Sequence, residues 1–239
     1  MKNHPEMHTF RGIRRTCASV SALVTSALTT SAACAPEKPL VGGFDGSVSI
    51  LPAMLSHNEK FVREGAYRDY AVATPAPAAR CVILTCMDSR LTHLLPAALN
   101  IKQGEAKIIK TAGAILSHPF GGIMRSIIVA LYELRASEVF VIGHEDCGMR
   151  SIDVSGTTKK MVAAGVPEDR LKTLETAGVD VHKWLEGFAS VDESVLAAVE
   201  IVRSHPLVPS NLRVTGLVID PNSGALRLAK KNASPSHIH

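Results

Sequence analysis

The sequence predicts a single α/β domain with a central, mostly parallel β-sheet that is flanked by helices and carries an antiparallel edge strand. Strand-like and helix-like segments alternate between residues 81 and 143, which favours parallel strands joined by right-handed crossovers. A turn sequence at 221–224 separates an apolar strand at 212–220 from a short returning strand at 225–229. Aromatic residues make up only 4% of the chain, so we expect an aliphatic core.

Three short segments, two of them apolar throughout most of their length, are predicted to be the first strands of this sheet. Residues 81–85 and 138–143 are apolar and rich in β-branched side chains, as is typical of strands that are buried on both faces. Residues 106–110 form the strand that lies between them in the chain. The two buried strands end next to cysteine and histidine residues, and open α/β sheets bind ligands at this end of their strands.

Apolar residues at helical spacing predict the helices that flank the sheet. A short helix is expected at 91–99, and a longer one continues to residue 134 or 135 with Pro119 in its first turn. Short helices at 151–188 are interrupted by glycine and proline, and an amphipathic helix covers 191–203.

One more helical pattern covers residues 49–70, where Ile50, Met54, Leu55 and Phe61 are apolar. Two interpretations of this helix are equally open. It either packs outward against a partner subunit or covers the sheet of its own chain.

The chain divides into an extension with a linker at 1–48, a folded domain at 49–230 and a loose polar tail at 231–239. Residues 1–35 contain arginines followed by a stretch of small and hydroxyl-bearing residues, which fits a transit peptide or a poor export signal. The alternatives are an untargeted, disordered extension and a misassigned start. This stretch is too short and too rich in hydroxyl groups to be predicted as a membrane span.

Composition excludes some partners and favours one type of compartment. The 26 Lys and Arg residues nearly balance the 22 Asp and Glu residues, so the clustered basic surface of a nucleic-acid-binding protein is not expected. Five cysteines in 239 residues are not a disulfide framework. A reducing compartment is therefore favoured over export: the cytoplasm, or the mitochondrial matrix if residues 1–35 are a transit peptide.

Two cysteines and one histidine are placed as ligands of a catalytic zinc ion. Cys86 follows the strand at 81–85, and His144 and Cys147 follow the strand at 138–143. Two thiolates and one imidazole leave a fourth position for water, whereas structural zinc sites normally have a fourth Cys or His ligand. Cys81 lies inside a strand and is a poor fourth ligand.

Asp88 and Arg90 stand two and four residues after Cys86. Arg90 can hold the Asp88 carboxylate with paired hydrogen bonds and keep it ionised. Asp88 would then orient the proton of zinc-bound water, and on release from Arg90 it would itself bind zinc and close the site. The alternative is a surface ion pair that contributes little.

The pattern Cys86-x-Asp88-x-Arg90 followed by His144-x-x-Cys147-Gly148 resembles the β-class carbonic anhydrases over roughly residues 50–229. The resemblance implies an enzyme with one zinc ion per chain that interconverts CO₂ and bicarbonate through a zinc-bound hydroxide. It also implies a homodimer or a higher homo-oligomer.

By position, the resemblance assigns a role to each residue of the predicted site. Cys86, His144 and Cys147 match the zinc ligands, Asp88 and Arg90 match the catalytic pair, and the substrate pocket is lined by Ala112, Gly113 and Gly148. Many relatives have an Arg-Asn pair before the Ala-Gly loop, where this chain has Lys110 and Thr111.

The same residues bear on three other functions. Carbonyl sulfide or carbon disulfide hydrolysis on the same fold would use the same zinc site. A zinc-stabilised protein without activity would not need the pair of Asp88 and Arg90. A cysteine phosphatase is excluded, because it needs arginine six residues after its cysteine, and none stands there after Cys81, Cys86 or Cys147.

Overall fold

The computed structural model describes residues 49–231, so the predictions for residues 1–48 and for most of the polar tail lie outside the described residues. The five strands of this part of the chain are β1 Cys81–Cys86, β2 Ala106–Thr111, β3 Glu138–His144, β4 Arg213–Ile219 and β5 Leu226–Leu228. Its α-helices are α1 Leu51–Arg63, α2 Leu91–Ala98, α3 Gly122–Tyr132, α4 Val154–Ala163, α5 Glu168–Thr176, α6 Val181–Leu185 and α7 Val191–Ser204.

The strands form one sheet in the order β2-β1-β3-β4-β5. The first four are parallel, with Cys81 of β1 opposite Glu138 of β3, and β5 pairs antiparallel with β4 across the predicted turn. The predicted fold class is confirmed. Because β1 and β3 are the central strands, their carboxyl ends lie side by side near the middle of the sheet.

Helices cover the sheet on both faces, and successive side chains of β1 point to opposite faces. Val82 and Leu84 contribute to a cluster that includes α3 and α7. Ile83 points the other way and packs with Leu91 and Leu95 of α2. All six residues of β1 are buried, which explains why this strand is a continuous apolar run rather than an alternating one.

Two predicted helix boundaries were wrong. The helix expected to contain Pro119 in its first turn begins only at Gly122, because residues 118–121 form a turn in which Gly121 N–H donates to the His118 carbonyl oxygen. The helix expected at 49–70 ends at Arg63. It is followed by Gly65 in a left-handed conformation (φ 70°) and a separate 3₁₀ helix.

Helix α1 has no buried residue, although it carries several large apolar side chains. Leu51, Met54 and Leu55 are each more than half exposed. The interpretation that this helix covers the sheet of its own chain is therefore wrong for the described residues. A membrane-spanning role is also not indicated, since none of the helices in residues 49–231 has the length and apolar character to cross a bilayer.

Candidate metal centre

Three metal-binding side chains meet at the carboxyl ends of β1 and β3. Cys86 ends β1, His144 ends β3, and Cys147 follows three residues after His144. The two Sγ atoms are 3.9 Å apart, and the donor atoms of all three residues lie within 4.8 Å of one another. All three residues are buried. The structure thus brings together the residues that the sequence predicts as ligands.

The positions of these atoms fit a tetrahedral zinc ion. Zinc–sulfur bonds of about 2.3 Å at the tetrahedral angle place two sulfur atoms about 3.8 Å apart. Nδ1 of His144 lies 2.7 Å from the carbonyl oxygen of Glu145, so this ring nitrogen has a hydrogen-bond partner. Nε2 is buried and has no hydrogen-bond partner within residues 49–231. A ring with one nitrogen held by a carbonyl and the other left unpaired is what a metal-binding histidine requires.

The surroundings of Cys86 favour its ionised form. Burial alone raises the pKa of its thiol, but the adjacent His144 side chain and the backbone N–H groups of Asp88 and Gly113 outweigh burial and bring the pKa below its ordinary value. Burial alone lowers the pKa of His144, and the adjacent Cys86 and the Glu145 carbonyl raise it overall.

Cys147 is affected in the opposite direction. Burial raises the pKa of its thiol, and a hydrogen bond from the Met149 N–H does not offset burial and the adjacent Cys86. Two neighbouring thiolates repel each other unless a cation lies between them. A divalent metal ion would supply that charge, so the donor set is suited to a dication.

Asp88 and Arg90 form the predicted ion pair. Nη2 of Arg90 donates to Oδ2 of Asp88 at 2.8 Å, and Nε donates to both carboxylate oxygens at 3.1 and 3.2 Å. These hydrogen bonds lower the pKa of Asp88 to about 2. The Asp88 side chain is only 18% exposed, so this is not a freely solvated surface pair.

Further contacts connect this pair to the metal-ligand residues. Oδ2 of Asp88 lies 3.7 Å from Nε2 of His144, so the carboxylate borders the position of the metal. Arg90 also donates to the carboxylate and the backbone oxygen of Asp146, at 3.2 and 3.1 Å. Arg90 therefore joins the end of β1 to the turn that carries Cys147.

The residues predicted to line the substrate pocket lie around the two thiols. Gly113 adopts a left-handed conformation (φ 70°), and a side chain there would come within 2.9 Å of Phe188 and 3.0 Å of Met149. Ala112 opens the 3₁₀ turn that contains Gly113, and the exposed Gly148 directly follows Cys147. Their contact with substrate remains a prediction.

A sequence model of the carbonic anhydrase family matches residues 81–226, which include every ligand and both members of the ion pair. The chain belongs to the β-carbonic anhydrase family. A crystal structure of β-carbonic anhydrase isoform I from Trichomonas vaginalis is similar, with a TM-score of 0.69 and 30% identity; the match covers 78% of this chain and 100% of that one.

Other similar proteins are named either as carbonic anhydrases or as carbon disulfide hydrolases. YvdA of Bacillus subtilis (strain 168), named provisionally as a carbonic anhydrase, is 49% identical over 74% of this chain and 89% of its own length. A protein of Acidianus sp. (strain A1-3) named carbon disulfide hydrolase is 31% identical over 62% of this chain and 76% of its own length.

Several contacts around the centre of this β-carbonic anhydrase family member were not predicted from sequence. Met149 and Phe188 pack beside Gly113, and Asp146 and Glu145, which lie between two ligands in the sequence, are held by Arg90 and Arg227. At Lys110, where the sequence departs from many relatives, the amino group donates a hydrogen bond to the Thr92 hydroxyl on α2 at 2.9 Å. The signal that the sequence offers for these contacts is the pair of acidic residues, Glu145 and Asp146, between two ligands.

Proposed function

We propose that this protein catalyses the reversible hydration of CO₂ to bicarbonate and a proton, with one zinc ion held by Cys86, His144 and Cys147. The observation that carries the proposal is the combination of a buried Cys-His-Cys donor set with an intact Asp88–Arg90 pair 3.7 Å from it. A structural metal would not need that pair. Zinc, when bound, lowers the pKa of a coordinated water toward neutrality and so supplies a nucleophile at physiological pH.

Asp88 is proposed to orient that nucleophile. Its pKa of about 2 keeps the carboxylate ionised, so at neutral pH it only accepts hydrogen bonds. Arg90 donates hydrogen bonds to both carboxylate oxygens of Asp88, and Oδ2 also lies next to the ligand cluster. An O–H donated to Oδ2 would turn the lone pair of the attacking oxygen toward CO₂.

The same position allows Asp88 to act as a gate. Without Arg90, the carboxylate would be free to move the short distance to the fourth ligand position and exclude water. Arg90 is itself held by Asp146, so the turn between His144 and Cys147 stabilises the arrangement with the pair formed.

We also propose that the protein forms a homodimer in which α1 packs against the partner subunit. The support is the apolar face of α1, where Leu51, Met54, Leu55 and Phe61 line a groove that no described residue of the same chain fills. Burying that face in an interface would contribute about 25 cal/mol of favourable free energy per Å² of apolar surface.

Carbon disulfide or carbonyl sulfide hydrolysis is the second candidate, favoured by the similarity to proteins named carbon disulfide hydrolase. Both substrates are linear cumulenes, and the same donor set and the same carboxylate would serve them. The difference between the two activities would then lie in the pocket rather than in the ligands.

Stopped-flow CO₂ hydration by the full chain, with zinc measured on the same sample, tests the proposal. We expect zinc-dependent hydration that is lost on chelation and restored by zinc. Asp88→Asn should retain zinc and lose about 10²- to 10⁴-fold in kcat, the range typical of a group that handles a proton. One zinc per chain without CO₂ hydration, but with turnover of the sulfur analogues, would favour the second candidate.

A further inference from the structure

Arg227, Glu145 and Asp192, here called the Arg227 cluster, form a charged network next to the metal ligands. Nη1 and Nη2 of Arg227 donate to the two Asp192 carboxylate oxygens at 2.6 and 2.8 Å. Nε and Nη2 also donate to Oε1 of Glu145 at 3.2 and 2.6 Å. One guanidinium therefore holds two carboxylates with paired hydrogen bonds.

This geometry differs from that of an isolated surface ion pair, although the Arg227 and Glu145 side chains are 40% and 45% exposed. Exposed pairs contribute little because two flexible side chains must be held in one arrangement, but paired Arg–carboxylate geometry within a network is the exception. Asp192 is only 14% exposed, and it also accepts the backbone N–H of Lys230 at 2.8 Å. The hydrogen bonds from Arg227 lower the pKa of Asp192, so its carboxylate is charged at neutral pH.

The cluster is attached to rigid elements on both sides. Arg227 lies in β5 opposite Val218 of β4, and Asp192 lies in the first turn of α7, which packs on the same sheet. The Arg227 guanidinium is thereby fixed relative to the sheet, not to a loop.

Glu145 connects the cluster to a metal ligand. Its backbone N–H donates to the carbonyl oxygen of Ile219 at the end of β4, at 3.0 Å. Its backbone carbonyl oxygen lies 2.7 Å from Nδ1 of His144. Its side chain is held by Arg227. Three separate contacts therefore fix the residue whose carbonyl determines which way the His144 ring faces.

We propose that Arg227 is a positioning residue for the metal site: by holding Glu145 it fixes the carbonyl oxygen that orients His144, with Nε2 toward the metal. The inference rests on the zinc site of the proposed function. It goes beyond that function because it gives a role to the antiparallel edge strand, which supplies no ligand.

The test compares zinc affinity, measured by chelator competition, among full-length wild-type, Arg227→Gln and Glu145→Gln proteins. Changing a hydrogen-bond partner of a metal ligand typically weakens metal binding by about 10- to 100-fold. Because Arg227 acts one residue further out, we expect about a tenfold loss in Arg227→Gln, near the lower end of that range. Glu145→Gln should show a similar loss, and the double variant no further loss, since both act through one carbonyl.

The cobalt-substituted proteins provide a readout that a merely structural role would not change. A reoriented His144 alters the ligand field, so the visible absorption bands of Co²⁺ should shift in Arg227→Gln. The urea midpoint of the metal-free protein measures separately what the network contributes to folding, and a loss of stability alone would leave the Co²⁺ bands unchanged.

Arg213→Gln is the matched control. Arg213 forms an ion pair with Glu138 at 3.3 Å, also between a strand arginine and a glutamate, but at the opposite end of the strands. Zinc affinity and the cobalt spectrum should remain as in wild type. Glu145→Gln keeps the Arg227–Asp192 pair, so it tests the same connection if Arg227→Gln does not fold.

The outcomes separate this inference from the proposed function. Wild-type zinc affinity in Arg227→Gln, or a double variant with fully additive losses, would overturn the inference and leave CO₂ hydration untouched. A tenfold loss of affinity in a protein that does not hydrate CO₂ would support the inference and overturn the proposed function. A wild-type protein that binds no zinc would overturn both.

Discussion

The carboxyl end of the sheet and helix α1 are both incomplete within one chain, but they lack different things. At the sheet end, Cys86, His144 and Cys147 are buried, and Nε2 of His144 has no hydrogen-bond partner among residues 49–231. On α1, large apolar side chains such as Met54 and Leu55 are exposed instead. The first region has a buried nitrogen without a hydrogen-bond partner among residues 49–231, and the second has apolar surface that is left exposed.

The difference shows what each region can bind. A buried nitrogen beside two thiols is satisfied by a single ion, because one metal can bond to all three donors. An apolar helix face is stabilised in proportion to the area that is removed from water, and a second protein surface can cover that area whereas an ion cannot. We therefore expect the two regions to respond to different perturbations, and variants can separate them.

Cys147→Ser should have the largest effect, and only on the metal region. Removing a ligand should weaken zinc binding by more than the roughly 10- to 100-fold typical of losing a ligand's hydrogen-bond partner. CO₂ hydration should be lost with the metal, and the mass of the particle in solution should not change. Zinc content and sedimentation velocity on the same sample check both statements.

Cys81→Ser is the matched control for that change. Cys81 is also buried, in the same strand as Cys86, but it is not in the donor group. It should keep zinc, and loss of zinc in this variant would show that the effect of Cys147→Ser is one of folding rather than ligation.

Leu55→Glu should have the next largest effect, and only on the α1 region. A charge on the apolar face would have to be buried in a dimer, which is costly without a partner. We expect at least about tenfold weaker self-association, equivalent to 1.4 kcal/mol. Ser56→Glu places the same charge on the next residue of the helix, which is exposed, and should leave association nearly unchanged. A wild-type protein that is monomeric at high concentration would contradict the proposed dimer.

Gly113→Ala should leave the ligand set intact and lower only the stability of the fold beside the metal region. The left-handed φ and the nearby Phe188 and Met149 side chains oppose an added methyl group. We expect a loss of about 1–2 kcal/mol in the free energy of unfolding, measured with urea. Gly122→Ala is the control, because a methyl group there meets nothing within 4 Å. Equal losses in the two variants would show that neither the left-handed φ nor the crowding around Gly113 opposes the added methyl group.

The extent to which sequence predicted this molecule depended on how local each feature is. The strand at 81–85 and the ligand spacing from Cys86 to Arg90 depend on near neighbours, and the structure places these residues as expected. The start of α3 was misplaced, because a turn at 118–121 competes with the helix. Arg227 was missed for a different reason: its partners Glu145 and Asp192 come from distant segments that only the folded sheet brings together.

The central position of β1 and β3 has a consequence for the order of folding. Cys86 and Cys147 come together only after β1 and β3 have paired, and these parallel strands are separated in the chain by α2, β2 and α3. Pairing of this non-local kind is slow and accounts for much of the folding barrier. Zinc would therefore be captured after the barrier rather than before it. We expect the ion to slow unfolding while leaving the refolding rate nearly unchanged, as interactions absent from the transition state do.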